Sequence, residues 1–151
     1  HMVGKIVLLL EVNNDTPETF ASEQFRTYYH DLTLQIAAAR PTCVNKSEVP
    51  TDTLDKEKEI LRAQALNEGK PEKIVDKMVE GRIEKYYKEV CLVEQPFVKD
   101  PDKSITQYTQ EVAKAIGATI APVKFERFER GEGIEKRQEN LADEIAQMAK
   151  Q

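Results

Sequence analysis

Near its beginning the chain reads Lys5-Ile6-Val7-Leu8-Leu9-Leu10-Glu11-Val12, a short apolar run bounded by Gly4 and Asn13. Such a run between turn-forming residues predicts a buried β-strand. A second strand-like segment, residues 120–129, lies near the other end, and Pro122 restricts it to a sheet edge or a strand start. Because helical segments separate these runs, we predict an α+β fold in which a small antiparallel sheet is covered on one face by helices. Two strands alone are marginally stable, so a third strand or a partner sheet is expected.

The first predicted helix follows the first strand. Thr16 is a good N-cap, Pro17 suits the first helical position, and Glu18 favours the positive end of the helix dipole. Its apolar face is formed, at steps of three and four residues, by Phe25, Tyr29, Leu32 and Ile36. Pro41 ends this helix.

Two further helices are predicted in the middle of the chain. One starts near Thr51 or Asp52 and stops at Gly69, because glycine tolerates the left-handed conformation that closes many helices. The other is opened by Pro71 and ended by Gln95-Pro96-Phe97, since proline disfavours helix at the residue before it.

A fourth helix is predicted from Ser104, which serves as its cap, to Gly117. A fifth helix, residues 135–151, carries an apolar stripe of Leu141, Ile145 and Met148. We therefore expect a core domain over residues 3–134 and a peripheral C-terminal helix over residues 135–151. Residues 1–2, His1-Met2, are interpreted as a cloning scar.

The composition predicts a single soluble domain. The chain has 151 residues, of which 40% are apolar and 32% charged, and no apolar run is long enough to span a membrane. A net charge of -5 argues against an extended phosphate-binding surface. Tyr86 and Tyr87 lie among lysines, but their helical position favours core packing over base stacking. We expect no direct nucleic-acid partner and no membrane partner.

The sequence contains no recognisable catalytic constellation. His30 is a lone histidine on a predicted helix, interpreted as a surface or satisfied residue. Cys43 and Cys91 lie far apart in the sequence, without C-x-x-C spacing or an activating histidine, so they are interpreted as ordinary reduced thiols. Gly131-Glu132-Gly133 is not a dinucleotide fingerprint, and no Walker-type loop occurs. We predict a binding module that is not an enzyme and has no catalytic residues, cofactor or metal.

Four segments resemble, in order and in spacing, segments typical of elongation factor Ts. They are Ala65-Leu66-Asn67-Glu68-Gly69-Lys70-Pro71, Glu80-Gly81-Arg82-Ile83, Leu92-Val93-Glu94-Gln95-Pro96-Phe97-Val98-Lys99-Asp100, and Phe128-Glu129-Arg130-Gly131-Glu132-Gly133-Ile134-Glu135-Lys136. Residues 4–13 also resemble the family's strand ending in L-V-E-V-N, and Ile36-Ala37-Ala38-Ala39 with Pro41 resembles its next helix. The resemblance implies the core, or dimerisation, domain of that family.

The resemblance also implies a function. Members of the family bind the GTPase elongation factor Tu, disturb its magnesium and phosphate site, and promote GDP release, which is guanine-nucleotide exchange in protein biosynthesis. A partner that binds the nucleotide-free GTPase more tightly must weaken nucleotide binding by the same factor. Short members of the family dimerise through their core sheets, so a homodimer is also expected. The implied location is the cytoplasm, or an organellar matrix or stroma in a eukaryote.

The family's exchange loop is altered in this chain. The family has T-D-F-V-A after the first strand, and its phenylalanine wedges against the GTPase. The corresponding residues, predicted here to contact elongation factor Tu, are Thr16, Pro17, Glu18, Thr19 and Phe20. An ungapped alignment, which we prefer, places Glu18 at the wedge, whereas a gapped alignment places Phe20 there.

On the ungapped alignment the Glu18 carboxylate takes the place of a phenylalanine ring that is buried against the GTPase. Burying a carboxylate without a charged partner costs free energy and opposes binding. We therefore expect exchange to be impaired; the alternative is an exchange-inactive structural or ribosome-associated paralogue that keeps only the fold.

The family's N-terminal ubiquitin-associated-like domain, and the strand that follows it, are not recognised in this sequence. Either they were trimmed or this is a divergent form.

Overall fold

The computed structural model describes residues 2–3 and 5–129 of the 151-residue chain, with side chains from Lys5 onward. The chain divides into two compact units, of which residues 10–125 form the larger and residues 1–9 with 126–151 the smaller. The predicted domain boundary at residue 134, the segment 131–133 and the predicted helix 135–151 lie outside the described residues.

The principal sheet has three strands: β1 (Met2–Val3), β2 (Ile6–Asn14) and β5 (Ile120–Glu129). Their order is β1-β2-β5, and β1 pairs antiparallel with β2, with Met2 opposite Val7. The expected third strand is thus present as a two-residue strand. β5 lies at the edge of the described sheet, as Pro122 requires.

Burial alternates along β2, as expected of a strand with one covered face. Leu8 is buried, whereas Val7 and Leu9 on either side of it are exposed. The described residues contain four α-helices and small antiparallel sheets, so the predicted α+β class is confirmed.

Helix α1 (Glu23–Ala39) begins six residues later than the sequence predicts, because Ser22 and not Thr16 is its N-cap. The Ser22 Oγ accepts a hydrogen bond from the Phe25 N–H at 3.1 Å. Residues Pro17–Ala21 form a separate 3-10 helix, in which Thr16 stands at the N-cap without a side-chain capping bond. The buried apolar face of α1 consists of Phe25, Tyr28, Leu32 and Ile36.

Tyr29, predicted for that face, is only half-buried. Its hydroxyl donates instead to the Leu10 carbonyl at 2.7 Å, which attaches α1 to the C-terminal half of β2. A tyrosine in this position satisfies both its apolar ring and its polar hydroxyl.

Helices α2 (Thr51–Asn67) and α3 (Glu72–Val90) form an antiparallel hairpin with the predicted boundaries at the turn. Gly69 adopts a φ of 75°, as predicted for a C-terminal stop. α3 ends at Val90, before the predicted terminator Gln95-Pro96, because the backbone of Cys91 is already extended and a 3-10 turn, Leu92–Glu94, follows.

A two-stranded hairpin, β3 (Pro96–Phe97) and β4 (Asp100–Ser104), was not predicted. It pairs antiparallel, and buried Gln35 of α1 secures it: the Gln35 Nε2 donates to the Pro96 carbonyl at 3.1 Å, and its Oε1 accepts from the Val98 N–H at 2.8 Å. The hairpin is thus held by hydrogen bonds from the side chain of Gln35, which is distant in the sequence. The residues of the hairpin themselves carry little sequence signal for a β-hairpin.

Helix α4 (Ile105–Ile116) has the predicted boundaries. Ser104 and Gln107 form a reciprocal capping box, and Gly117 closes the helix with a φ of 68°. The helix packs against α1, where the Tyr28 hydroxyl and the Thr109 Oγ1 lie 2.8 Å apart in the core. The Phe97 ring stacks on Tyr108 with 4.3 Å between centroids.

Candidate functional site

The five residues predicted to contact a partner lie together on the 3-10 turn between β2 and α1. We call residues Thr16–Phe20 the exchange segment. Asn14 at the end of β2 fixes its start: the Asn14 Oδ1 accepts from the Thr16 N–H at 2.9 Å, and the Asn14 Nδ2 donates to the Thr19 Oγ1 at 2.5 Å. An asparagine after a strand is well suited to this role, because its side chain mimics a backbone turn.

The segment is also closed internally. The N–H of Thr19 donates to the Thr16 carbonyl at 2.9 Å, and the Thr19 Oγ1 donates to the same carbonyl at 2.8 Å. The Ser22 N–H donates to the Thr19 carbonyl at 3.0 Å, one residue before α1 begins. Thr19 therefore stabilises the segment through hydrogen bonds within it. Its hydroxyl could bind a partner only if these hydrogen bonds were broken.

Asp15 anchors the segment to the beginning of β5, a contact that the sequence did not predict. Its carboxylate Oδ1 accepts from the Thr119 N–H at 2.8 Å, while the Asp15 N–H donates to the Thr119 carbonyl at 3.1 Å. The hydrogen bond from the Thr119 backbone lowers the pKa of Asp15. An aspartate directly after a strand is the only sequence signal, and it does not identify the distant partner.

The outward surface of the segment combines a charge with an aromatic ring. Pro17 and Glu18 are exposed. Phe20 is 42% exposed, and its ring meets the buried Phe25 ring edge to face at 5.1 Å between centroids, with an interplanar angle of 77°. One side of the Phe20 ring thus packs against Phe25, while part of the ring is exposed to solvent. A supported and exposed aromatic ring is typical of an apolar contact surface.

The lone histidine and the metal-ligating residue types are the other candidate groups. His30 is exposed on α1. Among the described residues no cluster of histidine, cysteine and carboxylate side chains could hold a metal ion. No helix in that part of the chain is long and apolar enough to cross a membrane.

The two cysteines, which are far apart in the sequence, lie side by side. The Cys43 and Cys91 Sγ atoms are 3.5 Å apart, and both thiols are free. Cys43 is half-buried and Cys91 is fully buried.

Comparison with known proteins decides the family. The model of the family described as Elongation factor TS matches residues 1–132. This chain belongs to the elongation factor Ts family. The predicted membership is thereby confirmed, and with it a place among the translation elongation factors of protein biosynthesis.

Individual members of the elongation factor Ts family are similar to the chain over almost all of its length. The elongation factor Ts of Acetivibrio thermocellus is 55% identical over 145 residues, which is 96% of this chain and 67% of that protein. That of Desulforamulus reducens is 55% identical over 150 residues, 99% of this chain and 69% of that protein. A longer elongation factor Ts from Clostridium botulinum strain Alaska E43 is 56% identical over 146 residues, 97% of this chain and 47% of that protein.

Proposed function

We propose that this chain binds the GTPase elongation factor Tu in the cytoplasm and promotes the release of GDP from it. The observation that carries the proposal is the family match over residues 1–132. The role requires no bond-making chemistry in this chain, so the function proposed is that of an exchange factor and not of an enzyme.

The mechanism follows from thermodynamic coupling. A protein that binds nucleotide-free elongation factor Tu more tightly than the GDP-bound form lowers GDP affinity by the ratio of the two affinities. Coupling free energies of about 1–3 kcal/mol correspond to affinity changes of about 5- to 150-fold. The contact surface must therefore distinguish two states of the GTPase, and it need not touch the nucleotide.

We assign that contact to the exchange segment, Thr16–Phe20. Hydrogen bonds from Asn14 and Asp15 hold its beginning, and Thr19 closes it internally. A segment ordered before binding loses little conformational entropy on docking, so more of the contact free energy remains as affinity.

Within the segment, Phe20 is the side chain best suited to enter an apolar pocket. Its ring is already 42% exposed and supported by Phe25, so docking buries apolar area without rearranging the core. Glu18 is exposed, and burying its carboxylate without a cationic partner would oppose binding. The exposed Phe20 ring favours the gapped alignment, in which Phe20 takes the wedge position; Glu18 would then lie at the solvated rim.

Release of fluorescently labelled GDP from elongation factor Tu, measured by stopped flow at increasing concentrations of this chain, tests the proposal. We expect the release rate to rise with concentration to a plateau and the two proteins to co-elute in size exclusion. Co-elution without faster release would support the alternative of an exchange-inactive paralogue. Separate elution and unchanged release would refute both binding and exchange.

Size exclusion with light scattering of the chain alone tests the predicted homodimer. A dimer mass would support pairing of two copies, and a monomer mass at high concentration would refute it. The exchange proposal does not depend on this result.

A further inference from the structure

Cys43 and Cys91 are brought together by backbone pairing and not by chance proximity of flexible side chains. The Cys43 N–H donates to the Val90 carbonyl at 3.2 Å, and the Leu92 N–H donates to the Cys43 carbonyl at 2.9 Å. The Val93 N–H continues the ladder to the Val44 carbonyl at 3.2 Å. These bonds make Cys43 and Cys91 partners in a short parallel bridge.

This register is compatible with a disulfide. Paired backbones lie about 4.8 Å apart, which is inside the range of about 4.4–6.8 Å that Cα atoms span across a disulfide. The two Sγ atoms are already 3.5 Å apart, so rotation of the side chains brings them to bonding distance.

We propose that Cys43 and Cys91 are a modification site, at which a small-molecule disulfide such as glutathione disulfide converts the two thiols reversibly into an intramolecular disulfide. Neither the family assignment nor the proposed exchange function includes this site. The inference rests on the sulfur distance, the backbone register and the unequal burial of the two thiols.

The unequal burial sets the order of the two steps. The half-buried Cys43, as a thiolate, attacks one sulfur of glutathione disulfide and forms a mixed disulfide, releasing one glutathione thiolate. The Cys91 thiolate then attacks the Cys43 sulfur and releases the second glutathione thiolate. The protons lost by the two cysteines pass to the two glutathione thiolates, so two protein thiols are oxidised while one glutathione disulfide is reduced to two thiols.

Cys91 is suited to the second step rather than the first. Its side chain is fully buried, and burial, followed by the hydrogen bond and charge interaction with Cys43, raises the pKa of its thiol to about 12. A protonated, inaccessible thiol does not react with an external disulfide. Once Cys43 is a mixed disulfide, the Cys91 sulfur is adjacent to its target.

The bond would close a loop that contains the whole α2–α3 hairpin. Cys43 lies between α1 and α2, whereas Cys91 directly follows α3, 48 residues further along the chain. Both ends of the hairpin would therefore be tied covalently at one point, and separation of these two ends would be suppressed.

Equilibration of the folded protein in glutathione buffers of increasing oxidised fraction tests the proposal. The remaining free thiols are then alkylated, and we expect neither cysteine to be alkylated in the oxidised protein. Its mass should be lower than that of the reduced protein by two hydrogen atoms. Digestion without reduction should release the two cysteine-containing peptides as a linked pair. Reduction should restore both alkylation sites. Cys91→Ala and Cys43→Ser serve as matched variants: the first should stop at a glutathione adduct on Cys43, and the second should leave Cys91 unmodified.

The wild-type result alone decides the matter if a variant fails to fold, and circular dichroism establishes folding for each protein. Two separate glutathione adducts, a disulfide between two chains, or two thiols still alkylated in buffers that fully oxidise an unstructured dithiol peptide would each overturn the proposal.

Discussion

The Tyr108 hydroxyl on α4 donates a hydrogen bond of 2.6 Å to the Oδ2 of Asp31, a buried carboxylate on α1. The other oxygen, Oδ1, accepts from the Lys99 Nζ at 2.5 Å. Asp31 thus joins α1, α4 and the β3–β4 turn through its two oxygens. The carboxylate is satisfied only because both partners are present.

Replacement of this carboxylate should destabilise the fold. Asp31→Ala leaves the Tyr108 hydroxyl without its acceptor, and we expect a loss of about 2 kcal/mol in the free energy of unfolding. Urea unfolding followed by circular dichroism measures it. Asp102→Ala, at an exposed position on β4, is the matched control and should change stability by less than about 0.5 kcal/mol. Equal effects of the two changes would refute a structural role for Asp31.

The exchange segment provides a second prediction. Phe20→Ala should lower the exchange rate about tenfold, because it removes the one exposed aromatic ring of the segment, whereas Glu18→Gln should change the rate little. Stopped-flow release of labelled GDP measures both variants. If Phe20→Ala has no effect but Pro17→Asp combined with Glu18→Phe accelerates release, the wedge position belongs to Glu18.

Asp15 should give the protein an acid-sensitive stability contribution. Its folded pKa is lowered from the ordinary 3.8, so its contribution is present above that value and is lost as pH falls through the lowered pKa. The difference in unfolding midpoint between wild type and Asp15→Asn should therefore shrink on acidification below about pH 4. A difference that stays constant across this range would show that the Asp15 carboxylate charge does not contribute.

Two tyrosines should make the fold sensitive to alkali. Burial raises the pKa of Tyr28 to about 12 and raises that of Tyr108, for which the hydrogen bond to Asp31 is the second cause. A raised pKa gives stability that is present below the ordinary value of 10.0 and lost as pH rises toward the folded value. Because lysines titrate in the same range, the comparison is between wild type and Tyr28→Phe, whose stability should fall less steeply above pH 10. Equal slopes would contradict this assignment.

Two glycines should respond oppositely to alanine. A Cβ at Gly81, inside α3, would meet no atom within 4 Å, so Gly81→Ala should stabilise the helix by about 0.5–1 kcal/mol. Gly69 has a φ of 75°, which alanine adopts with strain, so Gly69→Ala should destabilise by about 1 kcal/mol. Thermal unfolding measures both, and a destabilised Gly81→Ala variant would reveal a packing requirement at that position.

Features with strong local signals were predictable from the sequence. Gly69, Ser104 and Gly117 marked helix ends correctly, because caps and left-handed stops depend on a few neighbouring residues. The predicted start of α1 was wrong because Thr16 and Ser22 are both residue types that cap helices. Only Ser22 makes the side-chain hydrogen bond at the start of the α-helix.

Features that depend on distant residues were not predictable. The β3–β4 hairpin is secured by Gln35, which lies 61 residues before Pro96. The pairing of Cys43 with Cys91 spans 48 residues, and neither cysteine carries a local sign of it. For the exchange segment, the sequence predicts which residues contact a partner, and that stays a prediction; the support that Asn14 and Phe25 give these residues was not predictable.

The Asp15–Thr119 contact has a consequence for how the protein is made. The two residues are 104 positions apart, so Asp15 leaves the ribosome long before its partner is synthesised. At about 5–20 residues per second this delay is roughly 5–20 s. During that interval the exchange segment lacks its anchor at β5. The exchange segment should therefore acquire this anchor only after residue 119 has emerged.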